Sequence, residues 1–457
     1  MNRNKPGSLL IKITSLTLMM MLLLTAVPAQ AQTQQELYQQ GLDALYGQNG
    51  AEKSPEQALI IWGPLALDGY APAQSALGYL YLEGIVVEQD LEVAIGLFEE
   101  AAKQGDAYAQ ERLGYLYYNG RGVPQDYAQA KSWYEKAALR DKPDEQALYQ
   151  LGMILLYGLG TEADPTSARG YFEQALDLGV AGAAYTLAVI YTRGMGVAVD
   201  AQKAVAYLKQ GADMGSPAAK TALGKRYIYG DGVEKDVQKG IALLKEGGEG
   251  GNASAFNSLA VLYDLGQDVP QDYAQAMAYY EQAAALGNAA SAYNIGILYQ
   301  MGRGVDADMD KAQAYYAKAL AMYEDTIHLP DSMQQVAYML KNGYGAQADP
   351  ARARAFYQRA AELGNAESMY ALGVMLAKGE GGDANREEAI TWFTSAAERN
   401  HSDAMVYLAS LLSEGESGQD WEQHRRRPLL SFLLRQKRQR GLHPLTTGAG
   451  FAGWAVR

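Results

Sequence analysis

The sequence predicts an all-α solenoid of about ten helix-turn-helix repeats, and three observations predict it. An aliphatic residue followed by glycine or alanine returns about every 36 residues along most of the chain. Between these points, apolar residues recur at helical spacing on both sides of a short glycine-containing turn. An aspartate then occupies the same register just before the second helical stretch.

The first observation is a column of small residues, which we call the small-residue column. Its spacing is 36 residues, except for 38 after Gly114 and 41 after Gly296. Unrelated segments would not keep such a spacing, so the chain is a stacked array. The members are Gly78, Gly114, Gly152, Ala188, Gly224, Ala260, Gly296, Ala337, Gly373 and Ala409.

Each repeat is predicted to be two helices joined by a turn, and residues 109–141 illustrate the pattern. Apolar residues with 3.6-residue spacing precede Gly120 and Gly122 and return after them. A glycine or alanine in the column allows the facing helix to approach closely. We expect the tyrosines three residues after the column to pack in the core; those singled out are Tyr81, Tyr117, Tyr191, Tyr227, Tyr263 and Tyr299.

Capping residues set the limits of the second helix. A short carboxylate can accept hydrogen bonds from the free N–H groups of the first turn and lies at the positive end of the helix dipole. Calcium ligation is the alternative for these aspartates, but one Asp per repeat is far from the six to eight oxygens that calcium needs. The aspartates are Asp90, Asp126, Asp164, Asp200, Asp236, Asp272, Asp308 and Asp349.

Glycine closes the second helix, because it adopts the left-handed conformation without steric cost. The predicted closing residues are Gly105, Gly179, Gly215, Gly251, Gly287 and Gly364.

Two segments resemble the Sel-one-like repeat (SLR) family, which is related to tetratricopeptide (TPR) repeats. They are residues 113–138, LGYLYYNGRGVPQDYAQAKSWYEKAA, and residues 259–284, LAVLYDLGQDVPQDYAQAMAYYEQAA. The resemblance covers roughly residues 36–415. It implies a right-handed α/α superhelical solenoid that serves as an adaptor or scaffold for other proteins, in bacteria often in the cell envelope.

The predicted organisation has six parts. Residues 1–31 read as a secretory signal peptide, with Arg3, Lys5 and Lys12 before an apolar run and a small-x-small site that predicts cleavage after Ala31. An uncleaved anchor is the alternative, but the apolar run is short for a membrane span. A degenerate capping repeat (32–71) and repeats (72–321) follow. Then come an irregular insertion (322–332), more repeats (333–415) and a basic tail without repeats (416–457).

The insertion and the tail each leave alternatives open. Pro330 interrupts the repeat pattern, which predicts a kink or a small subdomain boundary near 322–332, and the insertion could be a binding element or a tolerated loop. The tail begins where a second helix is expected but reads Arg425-Arg426-Arg427-Pro428. It could be a basic amphipathic arm, a poorly ordered end, or sequence that follows a change of reading frame.

Composition limits the possible functions. The chain has no cysteine and four histidines, which excludes disulfide scaffolds, thiolate metal sites and cysteine nucleophiles. Its net charge is −13, although the leader carries +3 and residues 421–457 carry +7, so residues 32–420 carry −23. Such an acidic body opposes nucleic-acid binding. No GxSxG, HExxH, GxxxxGK[ST] or SxxK motif occurs.

The candidate site is a groove along the first helices, which line the concave side of two-helix solenoids. Counting from the small-residue column, positions −2, +1 and +5 vary between repeats and share one helix face. Tyr, Arg, Met and Asn at these positions suit recognition of a peptide or protein; the alternative is that the variable positions are unconstrained and solvated. The candidate partner-binding residues are Arg112, Tyr115, Gln150, Tyr157, Arg193, Lys225, Tyr229, Asn294, Tyr338 and Asn342.

The sequence therefore favours a non-enzymatic scaffold that binds another envelope protein or peptide without cofactor, metal or nucleic acid. Its leader predicts export, and the periplasm is the expected compartment. No transmembrane segment is expected in the mature chain. The resemblance also implies two alternatives. One is a scaffold for polysaccharide assembly or secretion. The other is a β-lactamase-like hydrolase, an activity assigned to cysteine-rich SLR proteins, whose cysteines this chain lacks.

Overall fold

The computed structural model describes residues 32–414, and the predicted signal peptide and basic tail lie outside this range. These residues form helices joined by turns, without a strand. The helices are α1 (Gln34–Tyr46), α2 (Pro55–Leu67), α3 (Ala71–Glu83), α4 (Leu91–Lys103), α5 (Ala107–Asn119), α6 (Tyr127–Ala138), α7 (Glu145–Tyr157), α8 (Pro165–Asp177), α9 (Ala181–Arg193), α10 (Ala201–Asp213), α11 (Pro217–Tyr229), α12 (Val237–Glu249), α13 (Ala253–Leu265), α14 (Tyr273–Ala285), α15 (Ala289–Met301), α16 (Met309–Asp325), α17 (Pro330–Asn342), α18 (Pro350–Glu362), α19 (Ala366–Lys378), α20 (Arg386–Glu398) and α21 (Ser402–Glu414).

The helices alternate between a first and a second helix of each repeat, which confirms the predicted all-α array of helix pairs. Odd-numbered helices from α1 to α19 are first helices, and the even-numbered helix after each is its partner. The described chain thus holds ten pairs, followed by α21 as a further first helix. Nearly every helix has 13 residues, which is about three and a half turns.

The aspartate register caps the second helices, as predicted. In each of the eight repeats concerned, the Asp side chain accepts a hydrogen bond from the backbone N–H three residues later, at 2.9–3.0 Å. Asp164 and Asp349 are followed by proline at the first helical position, where no N–H is needed. The six glycines predicted to close second helices all have a φ between +85° and +102°.

The small-residue column packs against an aromatic ring of the same repeat. Tyr134 lies on α6 opposite Gly114 on α5, and Phe172 lies on α8 opposite Gly152 on α7. A Cβ atom on either glycine would come within 2.8 Å of that ring. The ring occupies the position 20 residues after the column and is fully or almost fully buried wherever it occurs, at Phe98, Tyr134, Phe172, Tyr280, Tyr316, Tyr357 and Phe393.

The tyrosines predicted to pack do so. Tyr81, Tyr191 and Tyr227 are buried. The other three, Tyr117, Tyr263 and Tyr299, are partly buried and pack against the core clusters.

The insertion changes one helix. The second helix α16 is 17 residues long, so most of the extra residues extend it by about a turn. Pro330, which was expected to interrupt the pattern, instead begins α17, because proline is well accommodated in a first turn.

The chain divides into two compact units. Unit 1 comprises the chain up to Leu223 together with Asp231–Glu234, and unit 2 comprises Gly224–Gly230 together with the chain from Lys235 onward. Within unit 1 the buried apolar residues form two clusters, and within unit 2 they form one. The division falls within and just after α11. None of the helices in residues 32–414 has both the length and the apolar content of a membrane span.

Candidate functional site

The first helices of successive repeats lie next to one another within each unit. In unit 1 the Ser75 hydroxyl on α3 donates to the Asp106 carboxylate, which caps α5, at 2.7 Å. In unit 2 the Ser291 hydroxyl on α15 donates to the Asn257 side chain on α13 at 2.8 Å. We call the surface that carries positions −2, +1 and +5 of these helices the first-helix surface.

Four of the ten predicted residues are well exposed on this surface. Each is the last residue of a first helix and precedes a glycine with positive φ. Tyr157 and Tyr229 are the most prominent, with 54% and 68% of their area exposed. The four are Tyr157, Arg193, Tyr229 and Asn342.

Arg112 and Tyr115 form a partly buried group on α5. The Arg112 guanidinium lies 5.3 Å from the ring centre of Tyr108 and 5.4 Å from that of Tyr115. It also pairs with the Glu111 carboxylate, whose side chain is only 6% exposed. Burial raises the pKa of Glu111, and the neighbouring Arg112 opposes that rise. Arg112 therefore neutralises a buried carboxylate and is only partly available to a partner.

Gln150, Lys225 and Tyr338 are also partly buried. Tyr338 belongs to an aromatic group in which its ring centre lies 6.4 Å from that of Tyr293 and 6.0 Å from that of Tyr344. Its position is largely set by packing within unit 2.

Asn294 does not belong on the exposed surface. Only 4% of its area is accessible, because it lies among the buried residues of α15. Position −2 faces the neighbouring helices in this repeat. We therefore withdraw Asn294 from the candidate contact residues.

Unit 2 contains a row of large, exposed hydrophobic side chains at position +5, and the candidate residues predicted from the sequence include only one of them. The last residues of α11, α13 and α15 are Tyr229, Leu265 and Met301, and they expose 68%, 42% and 49% of their areas. Leu265 was omitted because the repeat around Ala260 was not included in the groove. The signal was present, since Leu265 is the +5 residue of that repeat.

Lys225 lies beside this row, one turn before Tyr229 on α11. Its ammonium contacts the Ser254 hydroxyl of α13 at 3.4 Å. Burial lowers the pKa of Lys225, and within residues 32–414 no acidic neighbour counteracts this effect.

A second set of exposed apolar residues lies where second helices end. Leu178, Met214 and Leu286 each precede a closing glycine and expose between 37% and 50% of their areas. These residues follow second helices, whereas the +5 residues end first helices. They therefore provide matched controls for the first-helix surface. Among residues 32–414 no group of three His, Asp or Glu side chains is arranged to hold a metal ion.

Comparison with known proteins gives a consistent result for the fold. The Sel1 repeat profile matches nine segments, which together cover more than half of the chain: residues 71–106, 107–142, 145–180, 181–216, 217–252, 254–288, 289–322, 330–365 and 366–401. No curated protein matches the chain.

Two solved structures show the same repeat architecture. A protective antigen of uropathogenic Escherichia coli that displays an SLR fold is 22% identical, with a TM-score of 0.52, over 97% of this chain and 92% of its own. A Sel1 repeat protein from Oxalobacter formigenes is 29% identical, with a TM-score of 0.50, over 54% of this chain and 96% of its own.

Proposed function

The chain belongs to the Sel1 repeat family, and from this premise we propose that it is a non-enzymatic scaffold that binds another protein or peptide on its first-helix surface. Proteins built from Sel1 repeats generally mediate protein–protein interactions. The observation that carries the proposal here is the exposure of large side chains at position +5, above all Tyr229, Leu265 and Met301.

The chemistry of the exposed residues supports this function. Aromatic and flexible apolar side chains provide most of the binding energy in protein interfaces, and adjacent polar groups adapt to the partner. In unit 1 the +5 position offers Asn119, Tyr157 and Arg193, which combine these types.

The proposal includes export to the cell envelope. Its support is the leader in residues 1–31, with basic residues, an apolar run and a small-x-small site. The partner would then be an envelope protein or peptide.

Site-specific photo-crosslinking tests the proposal. A photoreactive phenylalanine analogue replaces Tyr157 or Tyr229 in the full chain expressed in cells, and replaces Leu178 or Leu286 in matched controls. We expect protein adducts from the two first-helix positions and few from the controls. Adducts that form only at the control positions, or at none of the four, would contradict the proposed surface.

A triple variant gives a complementary test. Replacing Tyr157, Arg193 and Tyr229 with serine should abolish the crosslinked partner's co-purification while leaving the helical circular dichroism signal and the thermal midpoint unchanged. All three side chains are exposed, so their loss leaves no cavity.

Binding of a polysaccharide is a second candidate, and the exposed tyrosine rings favour it, because a flat aromatic ring can pack against a sugar ring. A scaffold for polysaccharide assembly would use Tyr157 and Tyr229 in this way. Binding of envelope polysaccharide to the purified full chain, lost in the same triple variant, would support this candidate over a protein partner.

A further inference from the structure

The first-helix surface of unit 2 has an unusual distribution of charge. In α21, the last first helix of this unit, position +5 is Glu414, whereas positions +1 and +5 of α11, α13, α15, α17 and α19 include no carboxylate, although residues 32–420 as a whole are strongly acidic. The two charged side chains are lysines in the first and last of these helices. The ten residues are Lys225, Tyr229, Val261, Leu265, Ile297, Met301, Tyr338, Asn342, Val374 and Lys378.

The centre of this surface is apolar. Val261 and Leu265 on α13, and Ile297 and Met301 on α15, are spaced one turn apart on each helix. Leu265 and Met301 are well exposed, whereas Ile297 is partly buried and packs against the core cluster. Val261 is buried in that cluster, so the accessible part of this apolar floor is formed by Ile297 and by the projecting side chains of Leu265 and Met301.

Lys225 lies at one end of this floor, and no described residue places a carboxylate beside it. Among the residues that the structure describes, its polar neighbour is the Ser254 hydroxyl at 3.4 Å, which is a long contact. The surrounding atoms displace water from the ammonium, and accordingly burial lowers its pKa. A partly desolvated cation gains more from a carboxylate than a fully hydrated one does. At the other end, Lys378 already lies 3.8 Å from Glu380.

We propose that unit 2 binds an extended peptide segment in which the carboxylate of an Asp or Glu side chain pairs with Lys225 and the apolar side chains that follow or precede it cover Leu265 and Met301. This inference rests on the proposed function and specifies the partner's chemistry. A basic segment is disfavoured, because it would bring like charge to Lys225. A purely apolar segment would leave that ammonium even less hydrated and still without a counter-charge.

The spacing of the helices sets the length of the segment. Lys225, Leu265 and Met301 lie on three successive first helices, and packed helices are about 8–10 Å apart. The distance to be covered is therefore about 20 Å, which an extended chain spans in about six residues at ~3.3 Å each. The acidic residue should accordingly occur about six residues from the last apolar contact residue.

A random dodecapeptide library displayed on its encoding RNA tests the inference with the full chain as bait. We expect selected peptides to share an Asp or Glu within about six residues of two or more Leu, Ile, Met or Phe residues. Selected peptides that lack either feature, or that are basic, would overturn the inference. Failure to select any peptide would count against this inference, and the photo-crosslinking result would then decide separately whether the proposed function stands.

Affinity measurements on the most enriched peptide locate the site. By fluorescence anisotropy, Lys225→Gln should weaken binding at least about tenfold, whereas Lys225→Arg should retain most of it because the positive charge remains. Replacing the peptide's Asp or Glu with Asn or Gln should weaken binding to a similar extent. Combining this peptide change with Lys225→Gln should weaken binding little further. An additive effect of the two changes would mean that the two groups do not pair.

Matched controls keep the result specific. Lys245→Gln removes an exposed charge from the second helix α12, and Leu286→Asp changes an exposed leucine at the end of α14; neither should alter binding. Leu265→Asp with Met301→Asp should abolish it. If peptides bind but only the control variants weaken binding, the segment occupies the second-helix side and both the inference and the first-helix proposal are wrong. Circular dichroism melting curves verify that each variant folds.

Discussion

The ring of Tyr134 lies against the α-carbon of Gly114, so that a Cβ at position 114 would come within 2.7 Å of its Cδ1 and Cε1 atoms. Position 114 belongs to the small-residue column, and Tyr134 belongs to the second helix of the same repeat. This contact sets how closely α5 and α6 approach, and the same relation recurs in unit 2 between Gly373 and Phe393.

The first prediction follows from that contact. Gly114→Ala should destabilise the protein by about 1–3 kcal/mol, because the added methyl group must displace a buried ring. Gly170→Ala is the matched control, since Gly170 lies within α8 and no atom of the described residues lies within 4 Å of where its Cβ would be. It should stabilise by about 0.4–1 kcal/mol through reduced freedom of the unfolded chain. Urea unfolding measures both changes, and equal effects would contradict the role of the column.

The second prediction compares tyrosines at one repeat position. The Tyr134 hydroxyl is buried and has no hydrogen-bond partner among the described residues, whereas the Tyr280 hydroxyl donates to Asp264 at 3.0 Å. Tyr134→Phe should therefore be neutral or stabilising, because it removes an unsatisfied polar group. Tyr280→Phe should cost about 1 kcal/mol, since Asp264 loses its donor. Urea denaturation of the two variants side by side distinguishes them, and a large loss for Tyr134→Phe would show that its hydroxyl is bonded.

The third prediction concerns the helix caps. The Asp164 carboxylate accepts hydrogen bonds from the Ser167 hydroxyl and backbone N–H, and these bonds lower its pKa. A carboxyl whose pKa is lower in the folded state stabilises the fold above its unfolded pKa, about 4, and loses that contribution as pH falls through the folded value.

Asp164→Ala should accordingly destabilise the protein at pH 7, and the difference from the parent chain should shrink below about pH 4. Asp164→Asn is the control, because asparagine also caps helices but does not titrate in this range. Thermal midpoints recorded from pH 7 to pH 3 report the effect. A pH-independent difference for the alanine variant would indicate that ionisation of the cap is unimportant.

The fourth prediction concerns Glu111 and Arg112. Arg112→Ala should destabilise unit 1 by about 1–3 kcal/mol, because Glu111 stays buried without its partner. Burial raises the pKa of Glu111 in the folded state, so the folded protein binds that proton more tightly. The loss should therefore grow as pH rises from about 4 to 7.

The double variant Arg112→Ala with Glu111→Gln should recover much of that stability and lose the pH dependence. Urea unfolding at pH 5 and pH 7 is the measurement. A loss that is the same at both pH values would place the contribution of Arg112 in its packing against Tyr108 and Tyr115, and not in its charge.

Within residues 32–414, the fold was largely predictable because its determinants are local. Asp90 and the other caps act on the backbone three residues away, and the closing glycines need only a positive φ. The insertion was harder to place. Whether extra residues before Pro330 form a loop or lengthen α16 depends on how the longer helix packs, which the repeat spacing does not encode.

The sequence predicted which helices carry the candidate surface better than it predicted which of their residues are exposed on it. Helical spacing correctly placed Tyr157 and Tyr229 on an exposed face, because residues on one helix share a face by geometry alone. Helical spacing did not show that Asn294 is buried, because its burial depends on side chains of neighbouring helices. It also did not show that Arg112 pairs with Glu111, because that pairing depends on the burial of Glu111.

The sequence by itself determined the helix pairs, their caps and the need for neighbouring repeats to pack together, since each of these follows from hydrogen bonds and periodicity within about 36 residues. Only the tertiary structure decided which side chains remain exposed, and that the charge of Lys225 has no carboxylate beside it in the described part of the chain. Exposure and desolvation depend on atoms contributed by several helices at once, and a repeat pattern read along one chain does not contain those distances.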